Sequence, residues 1–464
     1  MSSSKEGIYE PGVVDPGIPR ENPTQAYWQI EPHALSDHQS SWPDGPVDVV
    51  IIGSGVTGAN LARNLIMKRP EINVVMVESR GICSGATGRN GGHIKTATFT
   101  TWDDYKADLG IEEAIQMTEF EHSHLEAMTK AAHDEGIDCD ARRVEGLDVF
   151  YDQCVFDKAC AALQDMGIYA PHLAAQYTVY TDKDLVQKKY KVSSRCVGAI
   201  GSPAVSIWPY KLVTGIIGRL VESGKLNLQT NTTVKGVRDT AEEEHATVFT
   251  NLGQILAKNV VHATNGWMGH LVPELRPFIS PVRGNVVHYS PSNGSSVLGF
   301  KSDYSFWLRY GAKDYDYLVQ RTNGDVIVGR AATGRRTTGD DTATDLLPQA
   351  HLRGFISLVA SSPSPVNSEN VRHSWSGILG FTEDGLPLVG PLNYLGRRHQ
   401  WACGGYHGIG MTKAFRTAEA IAIMILGEDL PRDYPRSLFL SERRLNRLEA
   451  SVAKYQAKTI RAKM

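Results

Sequence analysis

The segment 48–79 constrains the fold more strongly than any other part of this sequence. A run of apolar residues, Val49–Ile52, leads directly into the glycine-rich turn Gly53–Gly58. The residues after the turn carry apolar side chains at helical spacing until Pro70, and a second apolar run follows from Ile72 to Ser79. A strand, a tight turn, a helix and a second buried strand make a βαβ unit, so this part of the chain is predicted to be α/β with parallel strands.

The glycines of the turn 53–58 have the spacing of a phosphate-binding loop. Gly53 and Gly55 let the backbone turn tightly and approach a pyrophosphate, and Gly58 lets the helix pack close to the strand. Glu78 ends the second strand, where a carboxylate can accept hydrogen bonds from ribose hydroxyls and would repel the 2′-phosphate of NADP. The segment therefore predicts a dinucleotide site, and the alternative is a structural glycine turn beside a surface glutamate. The candidate contacts in this unit are Gly53, Gly55, Val56, Thr57, Gly58, Glu78, Ser79 and Arg80.

Two further glycine-rich segments favour a flavin over a nicotinamide. The first, Cys83–Gly92, follows the second strand at once and offers backbone suited to lie against a flat ring, although a flexible surface loop has the same composition. The second, Gly404–Met411, precedes a helix predicted from Met411 to Leu426, so its amides and the helix dipole can face the anion of a reduced flavin. A nicotinamide exchanges during turnover, whereas a flavin is usually held by such a second set of backbone contacts.

Composition disfavours several other classes of protein. The 464 residues suggest two or three domains, and 48 basic against 51 acidic residues give a net charge of −3, which disfavours a nucleic-acid partner. No apolar stretch is long enough to span a bilayer and the polar N-terminus does not resemble a secretory signal, so neither a membrane span nor secretion by that route is expected. Six cysteines at irregular spacings predict neither disulfides nor a zinc site, so no metal site is expected and a reducing compartment fits best.

Hydrophobic patterns organise the rest of the chain. Residues 1–46 contain seven prolines and are predicted to form an extended arm over the body. Glu112–Glu135 is predicted to be a helix ending at Gly136, and the acidic turn Glu242–Glu244 to be the tip of a hairpin. The segment Pro431–Met464, with nine basic and three acidic residues, is predicted to be a solvated helical face. The runs predicted to be strands are Leu147–Tyr151, Val234–Arg238, Ala246–Asn251, Asn259–Ala263, Asn285–Tyr289, Tyr317–Gln320 and Val326–Gly329.

Seven segments in order resemble the D-amino-acid-oxidase-like flavoprotein superfamily, in the branch of the sarcosine, glycine and γ-glutamylputrescine oxidases. They are VVIIGSGVTG with Glu78, SGATGRNGG at 84–92, IWPYKLV at 207–213, VVHATNGW at 260–267, PVRGN at 281–285, WSGILGFTEDGLPLVG at 375–390 and GGYHGIGM at 404–411. The resemblance runs from about Tyr27 to Leu426. It implies an α/β fold in which a Rossmann-like FAD-binding domain carries a discontinuous α+β substrate domain built on an antiparallel sheet.

The resemblance also implies domain boundaries and contacts to FAD. The expected domains are an arm at 1–46, an FAD-binding domain at 47–145, 205–270 and 372–430, a substrate domain at 146–204 and 271–371, and a basic tail at 431–464. In the family the first two segments and the last hold FAD, and the strand carrying Val234 contacts adenine. Beyond the βαβ unit, the expected FAD contacts are Ser84, Gly85, Ala86, Thr87, Arg89, Asn90, Gly91, Gly92, Val234, Thr264, Asn265, Gly266, Gly408, Ile409, Gly410 and Met411.

The activity that the resemblance implies is oxidation of the C–N bond of an amine or amino acid. A hydride passes from the carbon next to the amine to flavin N5, water hydrolyses the imine, and O2 reoxidises the flavin to give hydrogen peroxide. This chemistry needs a neutral amine and good alignment more than a dedicated base. The candidate catalytic residues are His407, Tyr310 and Trp375, although His407 is equally a structural residue of a tight loop and aromatic side chains at such spacing are more often core. Trp208, Arg283 and Tyr406 are further cavity candidates.

Three departures from the family pattern bear on this activity. No cysteine is present at Ser376–Phe381, and Arg89 stands where other relatives carry a linking histidine, so non-covalent FAD is expected. The lysine that promotes reaction with oxygen matches Ile327, which leaves open a flavin-dependent dehydrogenase with another acceptor or a flavin-binding protein without catalysis. The paired arginines that bind the carboxylate of small amino acids are not evident between Gly81 and Lys106, so an amine or a larger amino compound matches as well as glycine or sarcosine.

The C-terminal tripeptide Ala462-Lys463-Met464 resembles a peroxisomal signal of the small-basic-apolar type. Production of peroxide would suit that compartment. The expected location is therefore peroxisomal or cytoplasmic.

Overall fold

Two β-sheets with helices packed on them form the body of the protein. The computed structural model describes residues 14–239, 243–290, 302–311, 314–354, 356–360 and 370–463. The α/β fold expected from the sequence is confirmed. Of the expected features, the first part of the arm (1–13), Glu242 of the acidic turn and Met464 lie outside the described residues. Within the described part of the chain, every helix is too short or too polar to cross a lipid bilayer.

The strands follow one another along the whole chain. They are β1 (Val47–Ile52), β2 (Val74–Val77), β3 (His93–Lys95), β4 (Arg142–Phe150), β5 (Thr178–Tyr180), β6 (Gly198–Ser206), β7 (Leu226–Gln229), β8 (Val234–Arg238), β9 (Ala246–Thr250), β10 (Gln254–His262), β11 (Ile279–Tyr289), β12 (Tyr304–Arg309), β13 (Tyr315–Gln320), β14 (Val326–Arg330), β15 (Val371–Thr382), β16 (Leu388–Pro391) and β17 (Gln400–Gly404).

The helices lie between these strands and after the last of them. They are α1 (Val56–Lys68), α2 (Trp102–Leu109), α3 (Ile111–Asp134), α4 (Gln153–Tyr169), α5 (Pro171–Ala174), α6 (Lys183–Tyr190), α7 (Pro209–Glu222), α8 (Met268–Leu271), α9 (Leu346–Gly354), α10 (Ile356–Val359), α11 (Ala414–Ile425) and α12 (Glu442–Lys463).

The first sheet contains the predicted βαβ unit. Its strand order is β16-β17-β10-β1-β2-β7, with β9 paired to β10 and β8 to β9. The neighbours β17, β10, β1, β2 and β7 are parallel. Val49 and Ile51 of β1 pack with residues of α1, α7 and α11, whereas Val50 packs with the β8–β9 hairpin on the other face. Because both faces are covered, these strand residues are fully buried, as a continuous apolar run predicts.

The second sheet is almost entirely antiparallel. Its order is β15-β11-β14-β13-β12-β4-β6-β3, with β5 beside β6, and β12–β4 is its parallel pair. Side chains alternate between the two faces of a strand. In β12, Phe306 and Leu308 therefore pack in a core cluster on one face, while Trp307 and Arg309 point to the opposite face.

The predicted strands and helices are present with small changes in their bounds. Every run predicted to be a strand overlaps one, with Tyr151, Asn251 and Ala263 just beyond the strand ends, and β8 has the predicted bounds. The predicted helix 112–135 is α3, and Gly136 follows it with φ of +56°. α11 begins at Ala414 rather than Met411, because residues 410–412 form a separate 3-10 turn. The domain boundaries stay a prediction, and strand pairing places β15 in the second sheet although 372–430 was assigned to the FAD-binding domain.

The two ends of the described chain pack on the body. In the arm, Trp28 is completely buried and its indole N–H donates to the carbonyl oxygen of Asn90 at 2.6 Å. In the tail, Leu445, Leu448 and Val452 of α12 pack into the same cluster as Leu388. The tail is therefore a helix with one buried face, and the solvated face predicted from its charge is only part of its surface.

Candidate active site

Four loops meet at one edge of the first sheet. β1 leads into Gly53, β2 into Glu78, β10 into Thr264 and β17 into the loop 405–411. Since these four strands are parallel neighbours, their carboxyl ends lie side by side, where ligands bind in open α/β sheets. One cavity is lined by residues from all four loops.

The glycine turn after β1 lines this cavity. Gly53 has φ of +109°, which a residue with a side chain rarely adopts, and its N–H donates to the carbonyl oxygen of Val77 at 2.8 Å. A Cβ on Gly58 would overlap the carbonyl oxygen of Gly53, so Gly58 allows α1 to pack against the strand and does not itself line the cavity. Gly53, Gly55, Val56 and Thr57 line it at the N-terminus of α1, a favourable position for a phosphate.

Glu78 lines the cavity beside this turn. Its carboxylate accepts hydrogen bonds from the N–H of Ser54 at 3.1 Å, the hydroxyl of Ser54 at 2.7 Å and the N–H of Arg80 at 3.2 Å. These contacts fix the carboxylate at the position that the sequence assigned to ribose recognition, and Ser79 and Arg80 line the cavity with it.

The second glycine segment crosses the cavity between the two sheets. Gly85, Ala86, Thr87, Arg89, Asn90 and Gly91 line it, and a short 3-10 helix spans Ala86–Arg89. Ser84 and Gly92 do not. The hydroxyl of Ser84 accepts from Arg80 at 3.2 Å, and Gly92 packs against Trp28.

Two buried arginines of this region are tied to one aspartate. Arg80 makes two hydrogen bonds to the carboxylate of Asp341, at 3.0 and 3.1 Å, and Arg89 lies 3.6 Å from the same carboxylate. Arg89 also donates to the carbonyl oxygens of Thr24 in the arm and Ser376 in β15. Burial lowers the pKa of Arg89 to about 10, partly offset by Asp341. Both arginines line the cavity, and their guanidinium groups hold the surrounding segments together.

The loop before α11 lines the cavity from the other side. Gly408, Ile409, Gly410 and Met411 are all at its wall. His407 has φ of +53°, and its Nδ1 accepts a hydrogen bond from the N–H of Thr382 at 3.2 Å. Its ring packs against Phe381, with 4.7 Å between ring centroids.

Val234 of β8 and residues after β10 complete the FAD-binding set expected from the sequence. Val234, Thr264 and Asn265 line the cavity, whereas Gly266 packs against the backbone of Leu379 and does not. The hydroxyl of Thr264 is buried and has no hydrogen-bond partner among the described residues. It is therefore a donor or acceptor that a bound ligand can satisfy.

The second sheet supplies a wall that the sequence analysis did not assign. Successive side chains of a strand point to opposite faces of the sheet, so residues two positions apart lie on the same face. The side chains that β3, β12, β13 and β14 contribute to the cavity are aromatic or cationic. This wall is formed by His93, Lys95, Trp307, Tyr315, Tyr317 and Arg330, with Arg335 after β14. A signal in the sequence could have identified this face. Large aromatic or cationic residues stand two positions apart, at Trp307 and Arg309 and at Tyr315 and Tyr317, so each pair points to the same face of its strand.

Lys95 of this wall belongs to a buried cluster of three charged side chains. Asp148 forms ion pairs with Lys95 and with Nε of Arg309, the latter at 2.5 Å. Nζ of Lys95 also lies 4.1 Å from the ring centroid of Trp307. Gly146 makes room for the lysine, because a Cβ there would lie 2.9 Å from Cε of Lys95. Burial lowers the pKa of Lys95 to about 8, Asp148 opposes that shift, and Arg309 adds to it.

His93 adds a neutral ring to the same wall. Burial, reinforced by the charge of Lys95, lowers its pKa to about 3. Trp307 donates its indole N–H to Nε2 of His93 at 3.5 Å, and Nδ1 lies 3.3 Å from the hydroxyl of Ser305. His93 is therefore a fixed neutral imidazole rather than a charged group.

Trp375 and Tyr310, which the sequence nominated as catalytic, lie outside the cavity. Trp375 is completely buried and donates its indole N–H to the carbonyl oxygen of Arg89 at 2.8 Å. Tyr310 stacks on Tyr151 with 5.6 Å between ring centroids. Neither residue lines the cavity that holds His407, and we propose no catalytic role for them. Of the further cavity candidates, Tyr406 lines the cavity and Trp208 and Arg283 do not.

Comparison with known proteins identifies the family. The family model for FAD-dependent oxidoreductases of the DAO type matches residues 48–424. The chain belongs to this family. The probable oxidoreductase OrdL of Rhizobium meliloti is 26% identical over 433 residues, which cover 89% of this chain and 93% of that protein. The γ-glutamylputrescine oxidoreductase of Escherichia coli is 24% identical over 390 residues, which cover 82% and 84% of the two chains.

Solved structures show the same fold. The crystal structure of glycine oxidase from Geobacillus kaustophilus superimposes with a TM-score of 0.67 at 18% identity, covering 86% of this chain and 99% of that one. The cavity described above fits the FAD on which the family depends. The N-terminus of α1, the fixed carboxylate of Glu78 and the unpartnered hydroxyl of Thr264 offer contacts of the kinds that phosphates, ribose and a heterocycle require.

Proposed function

We propose that this FAD-dependent oxidoreductase oxidises the C–N bond of a small amino compound to an imine, with an amino acid as the preferred substrate class and O2 as the acceptor. One observation carries the proposal. Lys95, Arg330 and Arg335 line the cavity among aromatic side chains, on the wall that the second sheet supplies. A carboxylate bound by these cations would leave the amine-bearing carbon of an amino acid on the side of the glycine-rich segments.

The aromatic side chains of this wall restrict the substrate and exclude water. Tyr315 is fixed by Arg330, whose guanidinium carbon lies 3.6 Å from the tyrosine ring centroid and whose Nη1 donates to its carbonyl oxygen at 3.1 Å. Arg330 has φ of +92°, an unfavourable conformation for a residue with a side chain. Backbone strain of this kind at a cavity wall supports a role for Arg330 in binding. Bound FAD supplies the hydride acceptor, and the chain itself aligns the amine.

His407 is proposed to orient the substrate. It lines the cavity from within the loop 405–411, and its Nδ1 accepts a hydrogen bond from the N–H of Thr382. The bond from a backbone N–H makes Nδ1 an acceptor, so Nε2 carries the proton of the neutral ring. The ring is thus presented in one tautomer.

The proposal that O2 is the electron acceptor is based on the positive charge of the cavity wall. Ile327, at the position of the family's oxygen-promoting lysine, is completely buried in β14 and does not line the cavity. Lys95 places a cation at the wall from a different strand. The alternative is a dehydrogenase that passes electrons to another acceptor.

We further propose that FAD is bound without a covalent link. None of the described residues that line the cavity is a cysteine. Its histidines, His93, His270 and His407, are each engaged in hydrogen bonds within the protein. Precipitation of the purified protein with acid should therefore release the yellow cofactor into the supernatant. A yellow pellet would contradict the proposal.

The location in a peroxisome or the cytoplasm stays a prediction from the C-terminal tripeptide. A fluorescent fusion that leaves the C-terminus free tests it, because removal of Ala462-Lys463-Met464 should disperse a peroxisomal signal.

Anaerobic reduction of the flavin tests the main proposal. A panel of D- and L-amino acids, N-methylglycine, primary amines and γ-glutamylputrescine, for which the E. coli relative is named, is mixed with the protein without oxygen. We expect an amino acid to bleach the oxidised flavin band at about 450 nm. Admission of air should then restore the band and form peroxide.

Each other result has a defined meaning. Recovery of the band only after addition of a dye would favour the dehydrogenase. If dithionite bleaches the flavin and no member of the panel does, the proposed C–N oxidation is contradicted.

A further inference from the structure

A second cavity adjoins the first behind Trp307. Its volume is about 620 Å3, and residues of α2, α3 and the segment 383–386 form its far side. The two cavities share wall residues from the second sheet and from the segment between β17 and α11. The shared residues are Lys95, Trp307, Tyr315, Arg330, His407, Ile409 and Thr412. A ligand in the first cavity can therefore extend past Trp307 into the second.

Arg309 stands in the wall of the second cavity with part of its guanidinium unsatisfied. Only 2% of the residue is exposed, and its Nε donates to Asp148 at 2.5 Å. Its Nη2 is buried and has no hydrogen-bond partner among the described residues. A buried charged donor without an acceptor is unfavourable, so this group is suited to an acceptor that a ligand brings.

Aromatic rings hold the guanidinium of Arg309 in place. Its central carbon lies 5.0 Å from the ring centroid of Tyr315, 5.4 Å from that of Trp307 and 5.7 Å from that of Phe99. Cation–π contacts of this kind fix the plane of the fork without using its N–H groups. The donor is therefore already oriented before a ligand binds, which lowers the entropy lost on binding.

The balance of charge around Arg309 selects an anion. Asp148 is the acidic partner of both Lys95 and Arg309, so the three groups together carry one positive charge when Lys95 is protonated. The acidic residues that line the far side of the cavity are Asp104, Asp108, Glu121, Glu383 and Asp384. Two of them face cations of their own: Glu121 lies 3.5 Å from Lys413, and Asp384 lies 2.9 Å from Arg444. The net positive charge that the cluster carries when Lys95 is protonated thus lies at Arg309, while the carboxylates lie on α2, α3 and the segment 383–386.

We propose that Arg309 binds a second acidic group of the substrate, a carboxylate separated from the reacting carbon by several atoms. The assignment rests on the proposed function, because it describes how the same substrate extends beyond Trp307. The bond is of the charge-assisted N–H···O type, formed by Nη2 and a carboxylate oxygen. The preferred substrates are accordingly amino compounds with an acidic end in addition to the group bound by the first cavity.

Binding of two carboxylates of equal carbon number tests this assignment without turnover. Glutarate and pentanoate are titrated into the holoenzyme, and binding is followed by the change in the visible flavin spectrum. Only glutarate can form the charge-assisted hydrogen bond to Nη2, so it should bind at least about tenfold more tightly, a difference of about 1.4 kcal/mol. Equal affinities for the two ligands in the wild-type protein would overturn the proposal.

Two variants then locate the effect at Arg309. Arg309→Met should bring the affinity for glutarate down to that for pentanoate, so that the ratio of the two dissociation constants falls to about one. Arg309→Met leaves the buried Asp148 with one cation, so Arg309→Lys serves as a second variant. It keeps the positive charge but lacks the planar guanidinium, and it should lose much of the preference for glutarate. Preserved selectivity in a variant that retains FAD, or an equal loss for both ligands, would contradict the assignment.

The outcomes separate this inference from the proposed function. If no amine reduces the flavin while glutarate selectivity depends on Arg309, the proposed reaction fails and the anion site stands. If amino acids reduce the flavin but glutarate and pentanoate bind alike, the reaction stands and the anion site fails.

Discussion

At the scale of single residues, the chemistry of the site depends on charges that the fold has buried. One ion-paired cluster is formed by Lys95, which lines both cavities, by Arg309, which lines the second, and by the buried Asp148 that pairs with both. Desolvation makes the ammonium of Lys95 less stable than in water and moves its pKa to about 8. The positive charge of the wall therefore changes within an accessible pH range.

The first prediction concerns the pH dependence of anion binding. Protonated Lys95 attracts a carboxylate, and the attraction is lost as pH rises through about 8. The dissociation constant of propionate, measured by the flavin spectrum, should therefore rise by up to about tenfold between pH 7 and pH 9. Propionate has no amine, so its own charge does not change between pH 7 and pH 9 and the pH dependence reports on the protein.

Lysine variants identify the titrating group. Lys95→Met should bind propionate weakly at both pH values, whereas Lys106→Met, at a partly exposed lysine paired with Asp165 outside the cavity, should keep the wild-type profile. An unchanged pH dependence in Lys95→Met would assign the titration to another group.

At the scale of elements, the turn between β1 and α1 sets how closely the helix approaches the strand. Gly58 contacts the carbonyl oxygen of Gly53 so closely that a methyl group has no space. The N-terminus of α1 and the position of its amides follow from that contact.

The second prediction is that Gly58→Ala displaces this turn. Overpacking of this kind typically costs about 1 to 3 kcal/mol of stability, and the shifted amides should also lower the affinity for FAD. Thermal unfolding and the flavin absorbance per chain measure the two effects. Gly45→Ala, where nothing lies within 4 Å of the added carbon, is the matched control and should change neither. Full FAD content in Gly58→Ala would contradict the account of the turn.

Elements with a local signal were predictable from the sequence. The strand, glycine turn and helix at 49–68 are encoded within a few residues, and so are the alternating strand at Val234–Arg238 and the helix ending near Gly136. The start of α11 was placed too early, because Gly408 and Gly410 allow a 3-10 turn that interrupts the apolar periodicity.

No short stretch of the sequence predicts the wall formed by the second sheet as clearly as residues 49–68 predict the strand, turn and helix. Lys95 and Trp307 meet because β3, β6, β4 and β12 are neighbours in that order, and such pairing across long stretches of sequence is not visible in either segment alone. Trp375 was nominated as catalytic because it belongs to a motif of the family, but its place in β15 directs its indole to the backbone of Arg89. The sequence identified the segment that contains Trp375. Which of its side chains face the cavity depends on the register of the sheet, which the sequence does not show.

At the scale of the whole molecule, the site exists because parallel strands end at one edge and the second sheet lies over them. Asp341 contacts Arg80 after β2, Arg89 of the second glycine segment, and the N-terminal arm. Asp341 is completely buried and binds Arg80, while the backbone carbonyl oxygen of Asp341 accepts from Thr24 in the arm.

The third prediction tests this connection. Asp341→Asn removes the anion between two buried arginines, and loss of one partner of a buried ion pair typically costs about 3 to 5 kcal/mol. We expect a lower unfolding temperature and faster loss of FAD, since Arg80 and Arg89 line the cavity. The adjacent Asp340 is 22% exposed, its partner Arg20 is 63% exposed and the buried Arg283 lies 3.9 Å away, so Asp340→Asn should destabilise the protein less than Asp341→Asn does. Similar effects of the two substitutions would show that the connection at Asp341 is not important.

The rate of anaerobic flavin reduction by a matched pair of compounds tests the central claim most directly. The pair consists of the amino acid that reduces the flavin fastest and the amine that remains when its carboxylate is replaced by hydrogen. If the cationic wall formed by Lys95, Arg330 and Arg335 holds the substrate carboxylate, the amino acid should react at least about tenfold faster at equal concentration, a difference of about 1.4 kcal/mol. Equal rates, or a faster reaction of the amine, would contradict it.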